Sequence, residues 1–488
     1  MKNIMKSIIN KAIAMTVVLL MVACDGQLDV EPRQTLASSS VLVNEENLTS
    51  VLFGAYAGIK GTFGVGEGGE LLGGDANIMS EMLGSTDNVS WGGSFSTYRE
   101  MADKELTVTN LVVAANWIRG YDVINSTNVV LANLDLASED NRDAIEGQAR
   151  ALRAMVYFEL VRFWCQPWGT GSESTDLGVP LVLTPTVTAA DADATANLGR
   201  STVSLVYTQI LDDLTIAKDL LSEDLGTNGT NISTYTVSAI LSRVYLQRGE
   251  YANAANEASR VIESGLYSLN PNPLGSFNNA ANSAEEVFAI QQTSLSNAGT
   301  NNGGATTFYA RLFGVGRGDI QVQQTFIDSF EPGDARGGLQ DDLSTTATIG
   351  AVNEMYYVGV GGQNSGQIQC AKFGDPNLNI PVIRLAEMYL NRAEANFEQG
   401  TTVGASPVED INTIRSRAGI GNLTTVTQQD IRDERMKELA FEGFRIHDFK
   451  RWQLDVGSFT YDANELVLPI PERETEAFAI QQNPGYGQ

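Results

Sequence analysis

Apolar residues recur at steps of three and four along most of the chain, the spacing that lines one face of an α-helix. Leu48, Val51, Leu52, Ala55 and Ile59 share such a stripe and predict a helix over 47–59. Trp117, Tyr121, Ile124, Asn128 and Leu131 predict another over 113–134. A long amphipathic helix follows over 142–164 and is ended by Pro167 and Gly169. Leu205, Ile210, Leu214, Ala217 and Leu221 predict a helix over 204–221. Residues 381–398 and 407–418 read as a further helical pair, with Pro407 suited to a helix start. The last long helical stretch covers 430–452, and Gly443 interrupts it, which allows two pieces.

One pair reads more closely. Leu241, Tyr245, Gly249, Tyr251 and Ala254 match the spacing of a tetratricopeptide unit. Gly249 supplies the tight turn, Ala254 admits the facing helix, and the two tyrosines fill the groove. This is one repeat, not an array. Between the helices lie three polar regions rich in glycine and asparagine, 61–93, 294–318 and 333–369. Irregular segments of this length are uncommon in compact domains and are often functional. Short strands are expected at 286–291 and 355–360. Strands and helices do not alternate, which argues against a doubly wound or barrel enzyme. The pattern predicts a mainly α fold with tetratricopeptide-like pairs, long polar loops and minor short strands.

The N-terminus reads as an address. Lys2, Lys6 and Lys11 precede an apolar run over 12–22 that is broken only by Thr16. It is shorter than the roughly 20 residues a membrane span needs. The run closes on Met21-Val22-Ala23-Cys24, which resembles the lipobox of bacterial lipoproteins, with Met21 where leucine is more usual. Residues 1–23 are then a removed signal peptide, Cys24 is lipidated, 24–40 is a tether, and 41–488 is one domain with halves 41–280 and 281–488. A plain secretory signal or a short anchor is the alternative.

Composition narrows the chemistry. The 488 residues carry 59 acids against 32 bases, a formal net charge of −27. Such a field repels nucleic acid and weighs against polyanionic ligands, unless a local basic patch overrides it. It tilts the expectation toward neutral ligands. There is one histidine, His447, and there are three cysteines, Cys24, Cys165 and Cys370. A Cys/His zinc site is nearly excluded, as is a catalytic triad without His447 as its base. Three cysteines do not make a disulfide scaffold, and spacing does not decide whether Cys165 and Cys370 pair. No EF-hand spacing is present, and neither a metal nor a cofactor is expected.

Three stretches go beyond periodicity. The first is Ala149-Arg150-Ala151-Leu152-Arg153-Ala154-Met155-Val156-Tyr157-Phe158-Glu159-Leu160, followed by Trp168-Gly169 and Gly178-Val179-Pro180-Leu181. The second runs from Ile431-Arg432-Asp433-Glu434-Arg435 through Glu438-Leu439-Ala440-Phe441-Glu442-Gly443-Phe444-Arg445 to Asp448-Phe449-Lys450-Arg451-Trp452. The third is Leu468-Pro469-Ile470-Pro471, closing with Gln482-Asn483-Pro484-Gly485-Tyr486. In this order, after a lipoprotein signal, they resemble the SusD/RagB family of outer-membrane nutrient-uptake lipoproteins over nearly the whole mature chain. The resemblance implies a helical lid over a SusC-like TonB-dependent transporter, anchored on the extracellular face of the outer membrane. It implies capture of glycans, or in some members peptides, without a catalytic centre. Asp25 and Asp29 resemble the surface-export signal of such lipoproteins.

The same motifs have structural readings. Arg150 and Arg153 with Glu159 are expected to pair on a helix surface. Glu442, Arg445 and Asp448 are expected to form a charge network, and His447 to be structural. For a sugar ligand, the informative residue is an aromatic in a polar loop, flanked by amides or charges. Trp91 beside Asp87 and Asn88 is the first candidate, with Tyr98 as its neighbour. Phe308, Tyr309 and Arg311 form a second set, and Tyr356 or Tyr357 a third, of which a strand would turn only one to a given side. Trp117, Trp164, Trp168 and Trp452 are assigned to packing. The rival readings are peptide capture, a two-carboxylate glycoside hydrolase and a purely structural scaffold.

Overall fold

The computed structural model describes residues 42–61, 69–223, 229–297, 303–478 and 480–487. Cys24, Asp25, Asp29 and the expected signal peptide lie outside them. The first part of the chain forms α1 (Glu45–Lys60), α2 (Asp75–Leu83), β1 (Val89–Trp91), α3 (Ser96–Asp103), α4 (Leu111–Ala132), α5 (Glu139–Trp164), α6 (Ala189–Ala196) and α7 (Val203–Leu220). Then come α8 (Thr234–Gln247), α9 (Tyr251–Glu263), β2 (Glu286–Ile290), α10 (Gly304–Tyr309), β3 (Ile320–Val322), α11 (Gln324–Ile327), β4 (Leu339–Gln340), β5 (Tyr356–Val358) and β6 (Ile368–Cys370). The last part holds β7 (Ile380–Arg384), α12 (Leu385–Gln399), α13 (Pro407–Arg417), α14 (Gln428–Glu438), α15 (Arg445–Arg451) and α16 (Glu472–Ala477).

The long helices stack in chain order: α1 on α4, α4 on α5, α5 on α7, α7 on α8, α8 on α9, α9 on α12, and α12 on α13 and α14. The stack is mainly α, as expected, and runs without a break from the N-terminal into the C-terminal half. Helix starts are set locally. Asn44 accepts the Asn47 N–H at the start of α1, and Thr427 with Asp430 makes a reciprocal capping box on α14. The tetratricopeptide pair is α8–α9. Gly249 turns it at φ +70°, Ala254 is buried, and Tyr245 and Tyr251 pack half-buried on Leu246, Ala255 and Ala395.

Buried ion pairs stitch neighbouring helices together. Arg153 of α5 takes both oxygens of Asp213 on α7 at 2.7 and 2.8 Å. Arg243 of α8 takes both oxygens of Glu387 on α12 at 2.6 and 2.8 Å. Arg392 of α12 does the same to Asp410 of α13, at 2.7 and 2.9 Å. The expectation of surface pairs at Arg150, Arg153 and Glu159 is corrected here. Arg153 and Glu159 are buried, and α5 is enclosed on several sides, so its charges face neighbouring helices rather than water.

Two further corrections concern the polar regions and the later pair. Residues 380–384 form a strand, not the start of a helix. Ile380, Val382 and Ile383 are β-branched, and the segment pairs with β2. The helix begins only at Leu385. Within 61–93, nine residues form α2, and all nine are buried. A helix covered on every side shows no polar face, so no stripe marks it. Its Asp75 carboxylate accepts from the Gly69 and Glu70 backbone N–H groups, from Tyr98 Oη at 2.8 Å and from Asn116 Nδ2 at 2.7 Å.

The C-terminal motif splits at Gly443, as the sequence allows. Phe441 and Gly443 have φ of +67° and +86°, and a Cβ on Gly443 would stand 2.9 Å from Asn77 Oδ1. The expected charge network of Glu442, Arg445 and Asp448 does not form: Glu442 and Asp448 sit in separate ion groups and Arg445 in neither. Glu442 takes Lys372 and Arg384, and Asp448 takes Arg435 and Arg451. Arg445 donates to Gly84 O and Thr86 Oγ1. His447 is buried against Phe163, ring centroids 4.5 Å apart, and burial first, then Arg162, Lys450 and Arg243, hold it well below its ordinary pKa. Cys165 and Cys370 are both free and buried.

Candidate functional site

The strands β1-β3-β6-β5-β4 make a five-stranded sheet, parallel only between β4 and β5. β2 and β7 pair separately. Alternation along these strands decides which side chains reach water. On one side of the large sheet Trp91 stands opposite Ile320, Val322 opposite Ile368, and Tyr356 opposite Cys370. On the other, Ser90 stands opposite Gln321 and Tyr357 opposite Gln369.

This alternation overturns the expected aromatic platform. Trp91 is a strand residue on the inner side, 8% exposed, and its Nε1 has no partner among the described residues. Its ring packs on Tyr98 and Phe308 at centroid distances of 5.1 and 5.5 Å, and both of those are fully buried. Tyr309, also in the short and wholly buried α10, packs on Phe373 and Phe441. Tyr356 packs on Phe330 and Phe441. Tyr357 faces the other side but is covered, its Oη accepting from the Arg311 N–H at 2.9 Å. Asn88 is buried too, donating to Glu81 Oε2 at 3.1 Å. None of these rings or amides offers a face to a ligand in this structure. Of the expected set only Asp87 is exposed and Arg311 half-buried.

The loops nevertheless converge on one surface over the buried cluster. Phe95, half-buried, meets Phe308 edge-on at 5.9 Å and 87° and carries the cluster outward. Arg317 lies over the outer side of the Phe95 ring, its guanidinium carbon 4.6 Å from the centroid. Arg317 also donates to Asp319 Oδ2 at 2.8 Å and to Ser94 Oγ at 3.0 Å. Asn364, held at φ +64°, donates to Asp319 Oδ1 and to the Arg317 carbonyl, both at 3.0 Å. Beside it, Arg311 donates to Gly316 O at 2.8 Å and to Gly361 O.

Phe313 stands at the end of this row, and sequence reasoning passed it over. Leu312 and Val315 bridge, so Phe313 and Gly314 form the tip of a tight turn with Gly314 at φ +70°. Phe313 is 57% exposed, an unusual fraction for a large aromatic. The signal was available: an aromatic directly before a turn glycine occupies a tip position with nothing to pack on.

This surface offers hydrogen-bond donors and an exposed aromatic ring. Its carboxyls are Asp87 and the buried, paired Asp319. Carboxyls held high by burial include Glu81, which accepts from Asn88; Glu70, raised by burial and then by Asp75; and Glu286, pushed up to about 7; all three are buried. No group of three or more metal-ligating side chains occurs among the described residues. A cavity of about 260 Å3 lined by Trp117, Tyr121, Val182, Leu198 and Phe478 shares no residue with this surface. Its walls are mostly apolar, which suits a hydroxyl-rich ligand poorly. Trp117, Trp164 and Trp452 are buried, and Trp168 packs on Tyr207 at 5.0 Å, in line with their assignment to packing.

A stack of paired helices that presents a loop-built aromatic and polar surface is a binding scaffold. Residues 27–246 match a family described as starch-binding and associating with the outer membrane, and residues 346–467 match the SusD family. The chain belongs to the SusD/RagB family. It is 26% identical to SusD-like protein P2 of Formosa agariphila, across 98% of this chain and all of that one. It is 43% identical to the starch-binding protein SusD of Bacteroides thetaiotaomicron over 17% of this chain and 14% of that protein. A crystal structure of a SusD superfamily protein from Bacteroides thetaiotaomicron superposes with a TM-score of 0.73 at 25% identity, covering 91% of this chain and all of that one.

Proposed function

We propose that the protein is a non-catalytic glycan-binding lipoprotein, held on the outer face of the outer membrane through Cys24. It captures oligosaccharides and delivers them to a SusC-like TonB-dependent transporter. The observation that carries the reading is the surface between Phe95 and Phe313. Sugar rings have apolar faces and polar edges, and this surface offers an exposed ring together with guanidinium and amide donors. The family supports the class of ligand: one matched description names starch binding and the outer membrane, and one relative is named a starch-binding protein. No helix among the described residues is long and apolar enough to cross a membrane, and attachment through Cys24 rests on the lipobox-like Met21-Val22-Ala23-Cys24.

The test is affinity electrophoresis of the full-length protein in detergent micelles, through gels that contain different polysaccharides. Retardation by at least one glycan is expected. Phe313→Ala should weaken it about tenfold, because losing one half-covered ring face forfeits on the order of 1.4 kcal/mol. Binding to peptides with no retardation by any glycan would overturn the reading. Shortened product chains would replace it with hydrolysis.

A further inference from the structure

The charge of this surface runs against that of the chain. Overall the protein has 59 acids and 32 bases. The segments that build the surface, 84–99, 311–323 and 359–369, hold Arg99, Arg311 and Arg317 against only Asp87 and Asp319. Asp319 is already engaged, buried and accepting from both Arg317 and Asn364. Asp87 accepts from the neighbouring Thr86 hydroxyl at 2.8 Å.

Two of the three arginines here, Arg311 and Arg99, differ from those of the core, whereas Arg317 is paired with Asp319. Arg336, Arg384, Arg392, Arg435 and Arg451 are each closed by carboxylates. Arg311 has no carboxylate within ion-pair reach among the described residues. Two backbone carbonyls, those of Gly316 and Gly361, hold it instead. Its Nε has no partner there either. Arg99 is exposed and held by the Gly93 carbonyl at 2.6 Å, again without a carboxylate. Carbonyl anchoring orients a guanidinium without neutralising it, so its charge stays uncompensated. The three are contiguous. Arg99 holds Gly93, whose Cβ position lies 2.6 Å from the Asp319 side chain, Asp319 holds Arg317, and Asn364 leads from there to Gly362 and Arg311.

We propose that this surface takes an anionic oligosaccharide, one whose sugars bear carboxylate or sulfate groups, through Arg311 and Arg99, the two guanidiniums that no carboxylate meets. The inference rests on the glycan-capture reading and names the ligand class for that same site. A guanidinium fork matches carboxylate and sulfate oxygens two at a time. Phe313 serves an apolar ring face beside the charged groups. The net negative charge of the chain does not forbid this, because at 0.15 M salt acids more than about 8 Å away are largely screened.

The experiment is isothermal titration of the full-length protein in detergent micelles with oligogalacturonate, carrageenan oligosaccharides and maltooligosaccharides. One anionic ligand should bind, and which one responds separates carboxylate from sulfate. Its affinity should fall about tenfold between 0.15 and 0.5 M NaCl, and about tenfold again in Arg311→Gln. Arg311→Lys should keep part of it. The salt series on the unaltered protein needs no variant, and Arg99→Gln changes only an exposed side chain. Maltooligosaccharide binding indifferent to salt and to these substitutions would overturn the inference and leave glycan capture standing. Binding of none of the three ligands, with binding of peptides, would overturn both.

Discussion

Phe308, in α10, and Phe313, at the tip of the turn that follows it, differ sharply in exposure. The Phe308 ring is fully buried with its centroid 4.7 Å from that of Tyr98, whereas Phe313 stands 57% exposed at a turn tip. An anchor and a contact surface thus lie within one short segment. Truncating each should separate stability from binding. Phe308→Ala should cost about 3–5 kcal/mol, because it opens a cavity among Trp91, Phe95 and Tyr98. Phe313→Ala should change stability by no more than about 0.5 kcal/mol while it weakens glycan retention. Urea unfolding followed by circular dichroism measures the first effect, and affinity gels the second. Equal destabilisation by both would mean that Phe313 packs in solution.

Glu438 sets the acid limit of the fold. It is buried among Arg336, Arg384 and Arg417. Burial alone would raise its pKa, but Arg417, Arg384 and Arg336 hold it well below the usual carboxylate range. The unfolded chain therefore binds this proton more readily than the folded one. The resulting stability is present above the unfolded value of about 4.3 and is lost as pH falls below it. Glu438→Gln leaves the buried cations under-compensated and should cost about 3–5 kcal/mol at pH 7. The gap between wild type and variant should narrow from pH 5 to pH 2. A gap that stays constant with pH would show that the carboxylate is not ionised in the fold.

Glu286 works with the opposite sign. It sits on β2, accepts from Ser283 Oγ at 3.2 Å, and is pushed up to about 7, chiefly by burial. The folded state holds its proton where the unfolded chain has released it, so stability falls as pH rises from about 4.5 to 7. Glu286→Gln removes that slope. The variant should match wild type near pH 4 and exceed it near pH 8, by at most about 3 kcal/mol. Urea midpoints measured across this range decide the matter, and parallel curves would refute it.

The helical stack was legible where a helix has one dry side, as in α1 and α7, because a dry side writes a three-and-four stripe. α2 left no stripe, since all nine of its residues are buried and Asp75 spends its charge on internal donors. The aromatic site was misread for a related reason. Trp91 sits in a polar stretch, yet it belongs to a strand, and strand alternation sends Ser90 outward and Trp91 inward. Register is a long-range property, set by Val322 and Ile320 from another part of the chain. The buried Arg153–Asp213 pair was hidden in the same way, because its partner lies on a different helix. Arg311 was legible as a candidate, but its carbonyl anchoring, and so its uncompensated charge, was not.

The thiols offer a count that joins the fold to the membrane anchor. Cys165 is pushed up to about 11 and Cys370 to about 12, each chiefly by burial. Both are fully covered, so a reagent that needs an accessible thiolate meets neither at pH 8. The folded protein, purified from its own membranes, should show no reactive thiol. In urea at the same pH both become accessible and ordinary. Cys24, the remaining cysteine of the three, is the expected lipidation site, and a thioether-linked lipid would withhold it from the reagent. The unfolded protein should therefore release two thiols, and an intact mass should carry the added acyl chains. Three thiols in urea would remove the lipid anchor from the proposed function while leaving the fold and the sugar surface untouched. One reactive thiol before urea, with only two released in urea, would place Cys165 or Cys370 in contact with solvent and contradict the packing described for them.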